Sequence, residues 1–542
     1  MIFKRFIAFA APAFLAAAAA AQAPAPDFAP ERFRAHVAFL ADDLLEGRET
    51  GSRGHAIAAR YVGAQYEALG LRPGARGGSW YQRVPFVRSA MTAPARITVG
   101  GRSFVQSEGV SFRQSPEAGR TELSGVPAVF AGYGLEGPGF DDYRGLDVRG
   151  RVVVVLDGTP AGLPSDVAAH LGGEKRRIAA RRGAVGLISL RSPTALARLR
   201  PRMDARLPEP GIVWVGPDGR PYSDSPGLRF NASADAALAE ALFEGAPRSL
   251  ARVRAEAARS GARPRGFALR QPVSFERDSS NSELASENVI GILPGSDPAL
   301  AGEYVLLMAH LDGLGVREGG EGDRIRNGAM DNATGVATLI EVARQMSRPG
   351  NRPRRPVIFA AVTAEERGLL GAQFLARNPV VEGRIVGVVN LDMPILTYDF
   401  TDVIAFGAEH STLGAIVARA AAGMGVALTP DPLPEQGLFT RSDHYMFVRE
   451  GVPSVFLMTG FQGEGERRFR DFLANTYHTP RDDMSLPFDW QAAARFAELN
   501  YRIAREIADS PQAPLWYRGS FFGDAFAPAA PRAERPQGGS GG

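Results

Sequence analysis

Apolar residues recur every three or four positions at Phe33, Val37, Leu40 and Leu44, a spacing that predicts an amphipathic helix over residues 31–45. The loop 46–52 follows, and a second helical period covers 54–69 and stops at Gly70. Residues 80–113 read as short strands separated by turns. From Ser124 the texture changes. Runs of β-branched and aromatic residues at 126–130 and 152–156, a basic helix at 174–182 and an apolar run from Gly186 predict a separate α+β module that reaches Pro264. From Ser286 short apolar runs alternate with helical periods. Strands are expected at 288–293, 304–309, 356–362, 386–391, 403–406 and 452–458, with helices at 335–346, 369–377, 412–423 and 488–507. This alternation predicts an α/β fold, a mostly parallel central sheet with helices on both faces. The end of the chain, rich in Pro, Ala and Gly from Ala527, is expected to be disordered.

At 542 residues the chain exceeds one hydrophobic core, so two or three domains are expected. The boundaries read as 1–23, 24–124, 125–264, 265–511 and 512–542. The first segment carries Lys4 and Arg5, an apolar run over 6–20 and Ala21-Gln22-Ala23, the pattern of a secretory signal cut after Ala23. The run is short for a bilayer span, and none is expected after the signal is removed. Export to a bacterial periplasm or medium fits the absence of cysteine, which also excludes thiolate chemistry and Cys-ligated zinc. The formal charge of +3, with no basic stripe interleaved with aromatics, argues against a nucleic-acid partner.

Chemistry concentrates at the ends of the apolar runs, where an open α/β sheet delivers side chains to its crevice. His310 ends one such run, with Asp312 two residues on. Asp331 follows a Gly-containing approach, Glu365-Glu366 follows a second run, Asp392 ends a third, and His478 lies in the polar stretch Tyr477-His478-Thr479-Pro480. Each has an ordinary reading alone: a structural strand-end histidine, a helix N-cap, a surface charge pair, a turn acid. Together they make a mixed N/O donor set of the kind Zn²⁺ accepts. Adjacent carboxylates such as Glu365-Glu366 repel unless something positive compensates. One can bind metal while its neighbour stays free to take a proton.

At these motifs the chain resembles the M28 family of zinc peptidases. The matching stretches are His310-Leu311-Asp312, Gly328-Ala329-Met330-Asp331-Asn332, Glu365-Glu366-Arg367-Gly368, Asn390-Leu391-Asp392, Ser442-Asp443-His444 and Tyr477-His478-Thr479, with Leu45–Gly51 resembling the family's N-terminal segment. The resemblance spans about residues 30–125 and 265–510, and residues 125–264 resemble a protease-associated domain inserted in many members. It implies a zinc-exopeptidase fold and two Zn²⁺ per chain. His310 and Asp392 would hold one, Glu366 and His478 the other, and Asp331 would bridge them. Glu365 would be general base and then acid, Asp312 would orient His310, and Tyr477 would help stabilise the oxyanion. In parts of the family the bridging Asp precedes a cis peptide, so Asp331–Asn332 is a candidate. The implied activity is release of N-terminal residues from peptide substrates. Arg317, Arg324, Arg326 and Arg441 lie near the site in sequence and keep a carboxypeptidase or dipeptidase open, because forked guanidinium groups suit a terminal carboxylate. A one-zinc cyclase would disrupt the two-metal set, and a peptidase-like binding protein would lack ligands. Side-chain preference and oligomeric state are not fixed by the sequence.

Overall fold

The computed structural model describes residues 26–137, 139–197 and 206–536. The expected signal, residues 1–23, lies outside the described residues. Helix α1 (Pro30–Leu40) begins the described fold and α2 (Arg53–Ala68) follows. The expected helix over 31–45 ends early, because the Asp42 carboxylate accepts from Leu44 N and the chain enters a 3₁₀ turn. Leu44, expected on the apolar face, is 82% exposed.

Strand β1 (Tyr81–Met91) pairs antiparallel with β2 (Val273–Leu293) over an unbroken register from Met91–Ser279 to Tyr81–Val289. The sequence reading placed only the end of β2. Its middle, Asp278-Ser279-Ser280-Asn281-Ser282-Glu283, is polar and largely exposed. Backbone pairing with β1 and with strand Gly119–Val126 holds it extended despite that pattern.

The sheet that carries the site runs β2–β4–β3–β5–β7–β6, where β3 is Glu303–His310, β4 Val357–Val362, β5 Arg384–Leu391, β6 Asp402–Phe406 and β7 Ser454–Thr459. The four strands β4, β3, β5 and β7 are parallel, while β2 is antiparallel to β4 and β6 to β7. Side chains alternate across β3: Val305, Leu307 and Ala309 enter one core and Leu306 and Met308 the other. The first core is closed by α1, α2, α4 (Thr334–Ser347), α6 (Leu413–Ala422) and α7 (Trp490–Asp509), with α5 (Leu370–Arg377) on the opposite face. The expected mixed α/β architecture with a large central sheet is therefore present, helices covering both faces. Because β3, β4 and β5 are parallel, the turns after His310, Val362 and Leu391 leave the same edge.

A second core contains strands Ala128–Phe130, Val152–Leu156, Gly186–Leu190 and Phe230–Ala234. It also takes in Ile97, Val99, Val110 and Phe112 from before residue 125 and Val273 and Phe275 from beyond 264. Helix α3 (Ser165–Arg181) flanks these parallel strands. Among the described residues no helix is long and apolar enough to cross a membrane.

One expectation is corrected. The segment 512–536 is ordered: Trp516–Tyr517 pairs with Arg532–Ala533, Phe521–Phe526 is helical, and Trp516 and Phe522 are buried in the first core. The Pro/Ala/Gly composition is offset by Trp516, Tyr517, Phe521, Phe522 and Phe526, whose burial supplies the free energy that orders the chain.

Candidate metal centre

The turns at the sheet edge bring together every residue singled out as a donor. His310 Nε2 lies 3.1 Å from Asp331 Oδ1 and 3.3 Å from Asp392 Oδ1. His478 Nε2 lies 3.4 Å from Asp331 Oδ2 and 3.3 Å from Glu366 Oε2. Two donor triplets result, His310/Asp331/Asp392 and Asp331/Glu366/His478, and within each the donor atoms lie within 4.8 Å of one another. Asp331 belongs to both and turns a different oxygen to each. The residues fit a pair of divalent cations, because three buried or half-buried carboxylates converge and no Lys or Arg ion-pairs with them among the described residues.

Sharp turns aim these side chains. Ala364, Met393, Ile395 and His478 have φ of 56°, 26°, 53° and 60°, a region that costs a side-chain-bearing residue and clusters where geometry is imposed by surrounding structure. The Asp331–Asn332 peptide is cis. The Asn332 amide ties the Asp331 turn to the Asp392 turn: Nδ2 donates to Leu391 O, and Oδ1 accepts from Gly335 N and Met393 N. Asn332 Oδ1 thereby takes a first-turn amide of α4, and the Asp331 carboxylate is left to the donor set.

Asp312 differs in detail from the expectation. Nδ1 of His310 faces the backbone carbonyl of Asp312 at 3.1 Å, and the carboxylate is 3.9 Å away. That carboxylate instead accepts from Glu365 N at 3.0 Å and Thr50 Oγ1 at 3.1 Å. Asp312 thus orients the imidazole through its main chain and fixes the Glu365 turn through its side chain.

Glu365 and Glu366 are placed differently. Glu366 meets His478, whereas the Glu365 carboxylate makes no ion pair or hydrogen bond among the described residues. Burial, and then the carboxylates of Glu366, Asp392 and Asp443, hold Glu365 well above the usual carboxylate range against the opposing pull of His310. The imidazoles move the other way from ordinary buried histidines. Burial opposes their charge, but the carboxylates outweigh it, holding His310 well above its usual value and His478 at about 10. Tyr477 stacks on His478 with ring centroids 3.6 Å apart, and burial with the nearby carboxylates keeps its phenol protonated.

Three supporting residues were not singled out from the sequence. Asp482 is buried and accepts from Met330 N at 2.7 Å and Asp331 N at 3.0 Å, fixing the backbone of the shared ligand; burial raises its carboxyl to about 7. Arg48 is 1% exposed and donates to the carbonyls of Leu40, Leu311, Asn327 and Gly328, clamping the turn after β3 to the approach to Asp331. Ser442 donates to Asp392 Oδ2 at 2.6 Å and accepts from Asn390 Nδ2. The polar run 479–485 hides Asp482 among surface-type residues, while Arg48 and Ser442 lie in the matched N-terminal and Ser-Asp-His motifs. Of the four arginines noted earlier, Arg317, Arg324 and Arg441 are exposed. Arg326 lines the small cavity formed with Asp331, Glu366 and His478.

Two donor triplets that share Asp331 thus lie at the carboxyl edge of the parallel strands, where an open α/β sheet gathers its ligands. Residues 288–504 match the model of Peptidase family M28, so this part of the chain is a peptidase M28 domain. Leupeptin-inactivating enzyme 1 of Streptomyces exfoliatus is 31% identical over 186 residues, 33% of this chain and 37% of that protein, so the match spans well under half of that relative. Solved structures with similar outlines include an aminopeptidase from Aneurinibacillus sp. strain AM-1 (TM-score 0.49, 19% identity, 90% of this chain and 95% of that one). Another is a zinc aminopeptidase from Bacillus subtilis (TM-score 0.44, 15% identity, 89% and 96%). Likeness at this level adds no argument about activity.

Proposed function

We propose that this chain is an exported dinuclear zinc aminopeptidase that removes N-terminal residues from peptides. The observation that carries the reading is the pair of donor triplets sharing Asp331 beside a Glu365 carboxylate with no partner. His310 and Asp392 would hold one ion, Glu366 and His478 the other, and Asp331 would hold both. Zinc bound by such donors supplies Lewis acidity that makes water a better nucleophile and a carbonyl a better electrophile.

The remaining chemistry belongs to the chain. Glu365 takes a proton from the attacking water and returns it to the leaving amine, its carboxylate being occupied by no ion pair or hydrogen bond among the described residues. Tyr477, neutral through burial, donates its hydroxyl proton to the developing oxyanion. Asp312 keeps His310 and the Glu365 turn in register. Residues 125–264, as a protease-associated insert, would bound the cleft and favour short peptides. The first 23 residues would direct export and be removed.

A second reading, release of C-terminal residues, is favoured by Arg326, which lines the donor cavity. Two peptides separate the readings when offered to the zinc-loaded chain: one with a free amine and an amidated end, one N-acetylated with a free carboxylate. Release of the first residue from the amidated peptide alone is expected. Cleavage of the acetylated peptide alone would establish the second reading, and cleavage of neither would reject a peptidase.

A further inference from the structure

We infer that the cleft between the second core and the peptidase domain holds a carboxylate-binding site, centred on Arg113 and Arg176, that anchors a carboxylate of the peptide. The inference rests on the aminopeptidase reading for its substrate but on separate residues for its chemistry. A cavity of about 560 Å³ lies beside the start of α3, within the size range of ligand sites. Its charged lining is Arg113, Lys175, Arg176 and Arg191 against Asp157 and Glu435.

The acids do not neutralise the bases. Arg191 is paired with Asp157 at 2.7 Å. Arg176 pairs with Asp224 at 3.0 Å, but Arg177 approaches the same oxygen at 3.7 Å. Lys175 is buried, and its ammonium is held by the carbonyls of Leu156 and Gly158 rather than by a carboxylate. The Arg113 guanidinium forms no ion pair or hydrogen bond among the described residues, and the like charge of Arg176 depresses its proton affinity. Two guanidinium groups that repel each other across a cavity are stabilised by an anion between them.

Neutral donors lie around the same space. Thr159, Ser165, Ser189 and Asn231 line the cavity, and their side chains make no hydrogen bond among the described residues. Helix α3 opens there with Pro164 at its N-cap and no side-chain cap, so first-turn amides add to the positive potential. The cavity also adjoins a second one. A second cavity of about 300 Å³ shares Arg113, Arg176 and Asn231 with it and is lined by Gly368 and Leu370, on the turn that carries Glu365 and Glu366. A peptide with its amine at the metal centre would run along this cleft toward the arginines.

The test uses the full-length zinc-loaded chain and three N-acetylated pentapeptides of neutral residues, which an aminopeptidase leaves intact. One has a free C-terminal carboxylate, one is amidated, and one is amidated with a Glu at its fourth position. Calorimetric titration is expected to give the free acid at least about tenfold tighter binding than the neutral amide, as charge-assisted hydrogen bonds typically provide. In Arg113→Ala that ratio should fall to about two or less, and Arg113→Lys should restore part of it. Tighter binding of the Glu peptide alone would identify a side-chain carboxylate as the group bound; tighter binding of the free acid alone would identify the C-terminus. Equal binding of all three, or a ratio unchanged in Arg113→Ala, would overturn the site. With an unblocked free-acid peptide, Arg113→Ala should raise KM and leave kcat within about twofold. If the wild-type chain hydrolyses nothing, the aminopeptidase reading fails while the titrations still decide whether the cleft binds carboxylates.

Discussion

At the residue scale, Glu365 and Glu366 are neighbours with opposite surroundings. Glu366 contacts His478, whereas the Glu365 carboxylate makes no ion pair or hydrogen bond among the described residues. Glu365→Gln should therefore leave zinc content unchanged and lower kcat by about 10²–10⁴-fold, the usual share of a general base; metal analysis and steady-state rates on the same preparation check this. Asp482 acts on Asp331 through two backbone amides. Asp482→Ala should weaken zinc binding by about 10–100-fold, as losing a group that supports a ligand does, measured by competition with a chromophoric chelator. His310, Glu365-Glu366 and Asp392 were legible because each follows an apolar run, whereas Asp331 and His478 stood out only through the motifs that carry the family resemblance. Asp482 was not, because its burial depends on the turn at Met330 folding back over it, which no local pattern announces.

At the scale of elements, parallel pairing places the site. Strands β3, β4 and β5 were readable as apolar runs, and their ends converge because the crossovers through α4 and α5 return each strand in the same direction. The long β2 was only half readable, since its polar middle is held by backbone hydrogen bonds that sequence polarity does not reveal. The C-terminal segment was misread from its small-residue composition, although Phe522 is fully buried and packs near His410, Phe439 and Tyr445. Phe522→Ala should cost about 3–5 kcal/mol of stability, seen as a lower denaturation midpoint, with zinc content and kcat of the folded fraction preserved. An unchanged midpoint would mean that the segment is not part of the folding unit.

At the scale of the whole molecule, the donor set couples metal, protons and stability. In the metal-free chain His478 is raised from 6.5 to about 10, so its contribution is fully present below 6.5 and is lost as pH rises through about 10. Glu365 and Glu366 are raised too, so the folded chain retains protons that the unfolded chain releases, and their ionisation destabilises in the same direction; Asp482, raised from 3.8 to about 7, loses its contribution below this window. The metal-free midpoint should thus fall as pH rises from about 7 to 10, and zinc should remove most of that fall by replacing the protons. Thermal unfolding with chelator or with zinc across this range checks the sign; a metal-free midpoint that rises would contradict it. The change in texture at Ser124 suggests a module at 125–264, but the second core reaches beyond those bounds, because Ile97, Val110 and Phe275 join it through strand pairing distant in sequence.

The measurement that tests the two-metal account most directly is a zinc titration of the metal-free chain, following bound zinc per chain and hydrolysis of an aminoacyl p-nitroanilide together. The account predicts saturation at two zinc ions per chain with activity appearing as the sites fill, and one site lost in His478→Ala. Saturation at one ion, or two bound ions with no hydrolysis at any pH, would contradict it.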